Sequence, residues 1–166
     1  MELQIRQARE ADAEAVIGIW NPIIGAGVYS ALDTPLTLES ERAYIMNFPS
    51  RGVFLVAERL ENRRVVGFQA IEPFATYTHA FDHVGVVGTC VDLGLRRCGI
   101  GTHLARASFE EARRKGYEKL FTYIRADNDG GLRFYEKRGF RVVGIARKHA
   151  KVKGQYVDSV FVEIFI

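Results

Sequence analysis

Cysteine is scarce. Cys90 and Cys98 are the two in the chain, too few to staple a secreted scaffold, and no Cys/His cluster has the spacing of a zinc site. A reducing cytoplasm is the setting this favours. Long apolar runs are lacking as well. The longest small or apolar stretch, Val84 to Val91, is far short of the roughly 20 residues a membrane-crossing helix needs. The N-terminal Met1-Glu2-Leu3-Gln4-Ile5-Arg6 has no apolar core, so no secretory leader is expected there. Internal repeats, linkers and low-complexity tracts are absent.

What is present fits an ordinary globular chain. The 166 residues are 48% hydrophobic and 26% charged, which argues against disorder. A chain of this length buries roughly 70% of the surface its unfolded form exposes, enough for one core, so a single domain over 1–166 is expected. The net charge of +3 hides an asymmetry: residues 96–153 carry 16 basic and 6 acidic side chains, and the remainder carries 7 and 14. A basic stretch of that kind faces an anion or forms a solvated surface; nucleic acid, a phosphorylated cofactor and an acidic protein all fit it.

The hydrophobic pattern gives the order β-α-α-β-β-β-α-β-α-β-β. Leu3 to Ala8 alternates as a strand. Asp12 is placed to cap a helix whose apolar residues Ala15, Val16, Ile19 and Trp20 share one face, with Pro22, Gly25 and Gly27 ending it. Thr37 caps a second helix bearing Leu38, Tyr44, Ile45 and Phe48, stopped by Pro49 and Gly52. Val53–Ala57 and Val65–Ile71 form an antiparallel hairpin, and His83 begins a strand through Val91. A helix over Ile100–Lys115 turns Ile100, Leu104, Ala107, Ser108 and Ala112 inward. Then come a strand at Leu120–Ile124, a short helix at about Gly130–Arg138, and strands at Phe140–Ala146 and Tyr156–Ile164.

The most informative stretch is Val91 to Thr102, which follows a strand and opens a helix. Its glycines let backbone approach a ligand, and free N–H groups at a helix start make an anion site beside Arg96 and Arg97. It is not a P-loop, for no lysine follows the glycines, and Leu104 stands where a dinucleotide fingerprint needs its third glycine. Arg96-Arg97-Cys98-Gly99-Ile100-Gly101 instead resembles the Arg/Gln-x-x-Gly-x-Gly/Ala signature of the GNAT acetyltransferase superfamily. Asn128 through Phe140 is similar to that superfamily's Asn…Phe-Tyr-x-x-x-Gly-Phe segment. The element order also matches, so the resemblance covers nearly the whole chain.

The resemblance implies an α/β (α+β) GNAT fold: a mixed, mostly antiparallel central sheet flanked by about four helices. It implies acetyl-CoA as co-substrate and no metal. Backbone N–H groups of Arg96, Arg97, Cys98, Gly99, Ile100, Gly101 and Thr102 would cradle the pyrophosphate. The backbone of Cys90 and Val91 would pair with the pantetheine arm, which Asn128 would hydrogen-bond. Tyr135 would protonate the leaving thiolate, and a backbone N–H near Val91 would hold the oxyanion. Asn128 read alone is a helix cap, and Tyr135 a core aromatic. A nucleophilic Cys90 has no base beside it in sequence.

Ile19-Trp20-Asn21-Pro22 to Ser30, Thr37-Leu38-Glu39 and Lys153 to Asp158 resemble the phosphinothricin acetyltransferase-like branch. That branch carries a strand glutamate, thought to be the base, where this chain has Val86, and histidine where it has Tyr135. The base is therefore open among Glu72, Asp82, His79, His83 and water. The expected activity is N-acetylation of a small primary amine, an amino acid or its analogue. Acetylation of a protein N-terminus or lysine, and a non-catalytic acyl-CoA sensor, are the alternatives. No nucleic-acid-reading motif accompanies the basic charge, so neither nucleic acid nor membrane is an expected partner. A homodimer, the commonest assembly in the superfamily, is the prior for this chain.

Overall fold

Strand β1 (Leu3–Gln7) is followed by helices α1 (Ala13–Ala26) and α2 (Leu38–Met46). Strands β2 (Val53–Arg59), β3 (Val65–Pro73) and β4 (Val84–Val91) come next. Helix α3 (Ile100–Arg114), β5 (Lys119–Arg125), α4 (Asp129–Glu136), β6 (Arg141–Val152) and β7 (Gln155–Phe165) complete the chain. The computed structural model describes residues 1–166. The strands form one seven-stranded sheet in the order β1-β2-β3-β4-β5-β7-β6. Every neighbouring pair is antiparallel except β4 and β5. The mixed, mostly antiparallel sheet with four helices is the architecture expected from sequence.

The two faces of the sheet bury separate clusters. Amphipathic α3 sends Ile100, Leu104, Ala105, Ser108, Phe109 and Ala112 inward, where most join Leu55, Val66, Ile71 and Leu120. On the other face α1 packs Val16, Ile19 and Ile23 against Phe54, Val56, Phe68 and Cys90. No helix is long and apolar enough to cross a membrane.

Three local expectations differ from what is found. Pro22 does not end α1; the helix runs on to Ala26 and stops at Gly27, at φ 70°. A helical proline costs the bond to the residue four back. Here that is Gly18, an exposed residue, where water can take the place of the missing donor. Asp12 does not cap α1 through its side chain. Its carboxylate instead accepts from the Arg9 N–H at 2.8 Å and from Arg6 at 2.7 Å on each oxygen. Strand β6 extends six residues past Ala146 through a charged run. It is an edge strand with an exposed face, so Arg147, Lys148 and Lys151 stay solvated within it.

Arg6 joins two buried carboxylates, Asp12 and Glu58, the latter at 2.6 Å. Burial pushes the Asp12 carboxyl up, but the hydrogen bonds from Arg6 and the Arg9 N–H outweigh it and hold the group below its ordinary value. Its stabilisation is therefore full above the ordinary carboxylate pKa of about 4 and fades as pH falls through the lowered one. Arg6→Ala takes from Asp12 its salt-bridge partner and leaves Glu58 with Arg63 alone, at 2.8 Å, and is expected to cost about 3 kcal/mol. Urea unfolding at neutral and acid pH tests this: the gap to the parent should narrow in acid, and an equal gap at both would remove Asp12 as its cause.

Candidate functional site

Strands β4 and β5 run parallel but pair over only three positions, Val84–Val86 with Lys119–Phe121, and then part. Hydrogen bonds from Asp92 N to Val66 O and from Phe74 N to Val84 O, both 3.0 Å, set the phase of the β3–β4 ladder. Even-numbered β4 residues turn their backbone to β3, so Thr89 and Val91 aim theirs into the gap. By the same argument from Ala126 N to Asp158 O at 2.9 Å, Tyr123 and Arg125 face the gap from β5. Val91 is thus where the sequence expects an unpaired strand edge. Cys90 gives its backbone to β3, and Thr89 takes that place. The Cys90 thiol is buried in the α1-side cluster, and burial pushes its pKa up, which makes it a poor nucleophile.

The loop from β4 to α3 lies at the open end of this gap. The Asp92 carboxylate accepts from Gly94 N at 2.9 Å, closing a single turn over Leu93–Leu95. Arg97 and Gly99 both take positive φ, 63° and 82°, which turns the chain sharply into α3. The N–H groups of Arg96, Arg97, Cys98, Gly99, Ile100 and Gly101 have no acceptor within the protein. Thr102 differs, donating to Gly99 O at 2.9 Å, while its hydroxyl accepts from Arg138. The Arg96 guanidinium stacks 3.8 Å from the Tyr29 ring, and Arg97 and Cys98 are exposed. Gly101 is required by packing: a Cβ there would lie 2.6 Å from the Phe134 ring of α4. A row of unspent donors at a helix start, with arginines beside it, fits a pyrophosphate.

Helix α4 closes the other side of the gap. Asn128 caps it, its Oδ1 accepting from Gly131 N at 3.0 Å while its Nδ2 donates to Tyr29 O at 3.2 Å. Each end of this amide has one protein partner and keeps one hydrogen-bonding position, and the bond to Tyr29 O ties that residue to the start of α4. Arg125 helps, donating to Gly27 O at 2.7 Å and Ser30 O at 3.2 Å while paired with Asp127. Tyr135 lies on the inner face of α4, 6% exposed, its ring edge-on to Phe134 and Phe140. Its hydroxyl is 3.0 Å from Thr89 Oγ1, which accepts from Gln69 Nε2 at 2.7 Å. Burial pushes the phenol well above the ordinary tyrosine value, and the Thr89 bond pulls it back only in part. Tyr135 is therefore a neutral phenol at the edge of the gap.

The gap opens into a cleft of about 1470 Å³ that continues to the α1–α2 side of the sheet. Of the four base candidates, Glu72 lines it, cross-strand from Val86 and accepting from the Tyr44 hydroxyl at 2.6 Å. Asp82 does not; it pairs with Arg51 at 2.8 Å and with His79 at 3.0 Å. His79 and His83 are exposed outside the cleft. One acid in the cleft was missed from sequence. Glu41, 4% exposed, is the buried residue of α2, and its Oε1 has no partner. The signal was there: Glu41 shares a helical face with Tyr44, Ile45 and Phe48, a charge in an apolar stripe. No cluster of three or more His, Cys, Asp or Glu is placed to hold a metal.

Known proteins share the family pattern and the fold. A family model described as the acetyltransferase (GNAT) family matches residues 20–140. The chain is 22% identical to an L-methionine sulfoximine/L-methionine sulfone acetyltransferase of Pseudomonas aeruginosa, over 99% of this chain and 95% of that protein. It superposes on a ribosomal-protein-alanine N-acetyltransferase from Brucella melitensis with a TM-score of 0.89 and 28% identity, covering 98% and 99% of the two chains. It also superposes on a phosphinothricin acetyltransferase from Sinorhizobium meliloti in complex with acetyl-CoA. That match has a TM-score of 0.90 at 18% identity and covers 100% and 89%.

Proposed function

The chain belongs to the GNAT acetyltransferase family, and from that premise we propose that it carries the acetyl group of acetyl-CoA to the primary amine of a small molecule. The acceptor class proposed is an amino acid or its analogue, reacting by direct attack with Tyr135 as general acid, in one domain spanning 1–166. The observation that carries this reading is the β4–β5 gap, with unspent loop N–H groups at one end and the Tyr135 hydroxyl at its edge. The relative acting on methionine sulfoximine supports the acceptor class, and the neighbour that holds acetyl-CoA supports the co-substrate.

In this mechanism the loop from Arg96 to Gly101 holds the pyrophosphate. The Thr89 and Val91 backbone continues into the pantetheine arm as an added strand. Asn128 gives its remaining amide hydrogen to the pantetheine arm and also anchors Tyr29. The thioester is already activated, so positioning and charge stabilisation do most of the work. The amine nitrogen bonds the acetyl carbon, and the Val91 N–H, facing the gap, stabilises the oxyanion. The C–S bond then breaks, the sulfur keeps the electron pair, and Tyr135 supplies its proton. We propose a homodimer that covers exposed Val142, Val143, Ile145 and Phe165 on the outer strands.

Calorimetric titration with acetyl-CoA, followed by CoA-release assays over amino acids, polyamines and peptides, tests the reading. Micromolar binding with release on a small amine is expected. Release on a peptide N-terminus alone would favour the second reading, which the name of the Brucella melitensis neighbour supports. Binding without release on any acceptor would favour an acyl-CoA sensor, and no binding would end both acetyltransferase readings.

A further inference from the structure

We propose that Glu41 is the acceptor's ammonium site: it receives the amine as a cation from the α1–α2 side of the cleft and takes the proton that frees the nitrogen to attack. This rests on the acetyl-transfer reading for its chemistry, though not for the binding it predicts.

The argument begins with a cost. Glu41 is a carboxylate at 4% exposure, with one oxygen sealed from water and unpartnered. Burial raises its pKa, and no cation or hydrogen bond in the protein offsets that. A fold has little reason to place an uncompensated acid on the buried side of a short helix unless something else compensates it. The carboxylate lines the cleft, so a ligand can reach it.

The surroundings name the ligand's charge. Tyr44, one turn along α2, is committed to Glu72. The titratable and charged groups sharing the cleft with Glu41 on this side are Tyr44 on its own helix, Tyr29 after α1, Glu72 on β3, Cys90 on β4 and Arg96 after β4. From α1 comes Trp20, which carries no charge. Arg96 is stacked on Tyr29, and Arg125 across the gap is paired with Asp127. Arg96 has no acid partner, yet neither Glu41 nor Glu72 is paired with it or with any other cation, and two unpaired acids favour an ammonium group. Trp20, Tyr44, Phe54 and Phe68 supply an aromatic wall, and aromatic faces also attract cations.

The position suits the chemistry. Glu41 is near enough to the Cys90 thiol to add to the push that burial gives it, and Cys90 lies between Thr89 and Val91 at the gap. Protons balance as follows. The ammonium loses its first proton to Glu41, which passes it to solvent. The nitrogen loses its second after bonding the acetyl carbon, and the equivalent of that proton ends on the CoA sulfur through Tyr135. A carboxyl with a raised pKa is a stronger base than an exposed one and suits this task.

The test separates binding from turnover. Calorimetric titration of the parent with n-butylammonium should show binding, and n-butanol, its neutral isostere, should bind at least tenfold more weakly. In Glu41→Gln the ammonium should weaken about tenfold or more and n-butanol should be unchanged. Equal affinities in parent and variant, or no ammonium binding, would overturn the inference whatever the acetyl-transfer assays show. On the acceptor found above, Glu41→Gln should lower kcat/KM and lose the acid limb of its pH profile, and Glu41→Asp should restore part of it. An unchanged profile in an active Glu41→Gln enzyme would overturn the proton-accepting role while acetyl transfer stands. Folding is not at risk: removing an unpartnered buried charge should hold or raise Tm at neutral pH, because a raised carboxyl pKa costs stability above it.

Discussion

Tyr135→Phe is expected to lower kcat by about 10²-fold or more, the lower end of what a positioned acid or base contributes, while the affinity for acetyl-CoA stays within about twofold of the parent. The variant removes one oxygen and keeps the ring, so the edge-on contacts to Phe134 and Phe140 remain. What is lost is the donor 3.0 Å from Thr89. The direction of the pKa matters here. A phenol raised by burial is protonated across the physiological range, so Tyr135 is poised to give a proton and cannot serve as the base. The acid therefore imposes no alkaline limb near neutral pH, and an observed one would belong to another group. Steady-state kinetics with calorimetric binding checks both parts. An unchanged kcat would take Tyr135 out of the mechanism, and a parallel loss of binding would mean that it shapes the cofactor site.

Gly101→Glu is expected to abolish measurable acetyl-CoA binding. A Kd raised on the order of 100-fold corresponds to about 2.7 kcal/mol. Two effects add. A Cβ at this position lies 2.6 Å from the Phe134 ring, so α3 and α4 must part. The carboxylate then lies among the N–H groups of Arg96 to Gly101, where it competes with the pyrophosphate and repels it. Gly101→Ala separates the two, since it brings the contact without the charge. Affinity should fall in the order parent, alanine, glutamate, with Tm showing how far each variant disturbs the packing. If the glutamate variant binds as the parent does, the loop is only a turn.

Before these effects are measured, the chain already shows how unevenly a site is written in a sequence. The loop was legible because its requirements are local. Positive φ, close backbone approach and a helix start each demand particular residues within a few positions, and Gly99, Gly101 and the arginines meet them in a row. Asn128 was legible as a helix cap for the same reason, although its second bond, to Tyr29 O, joins residues 99 apart and was not. Of the cleft's acids, Glu72 was a candidate from sequence and Glu41 was not. Glu72 and Glu41 lie on different elements, and nothing local brings them together.

The sequence by itself determined the order of elements, the inward face of α3, the glycine loop and the placement of Tyr135 on a short helix. Each depends on periodicity or on backbone conformations that only certain residues adopt. The tertiary structure alone decided that β4 and β5 part after three paired positions, which exposes Thr89 and Val91 instead of Cys90. It decided that Pro22 is carried within α1 and that Asp12 serves Arg6. It also decided that Glu41 is buried in the cleft while Asp82, His79 and His83 remain outside. These outcomes depend on contacts between residues far apart in the chain, on which strand lies beside which and where two of them diverge, and local physical chemistry does not contain that information.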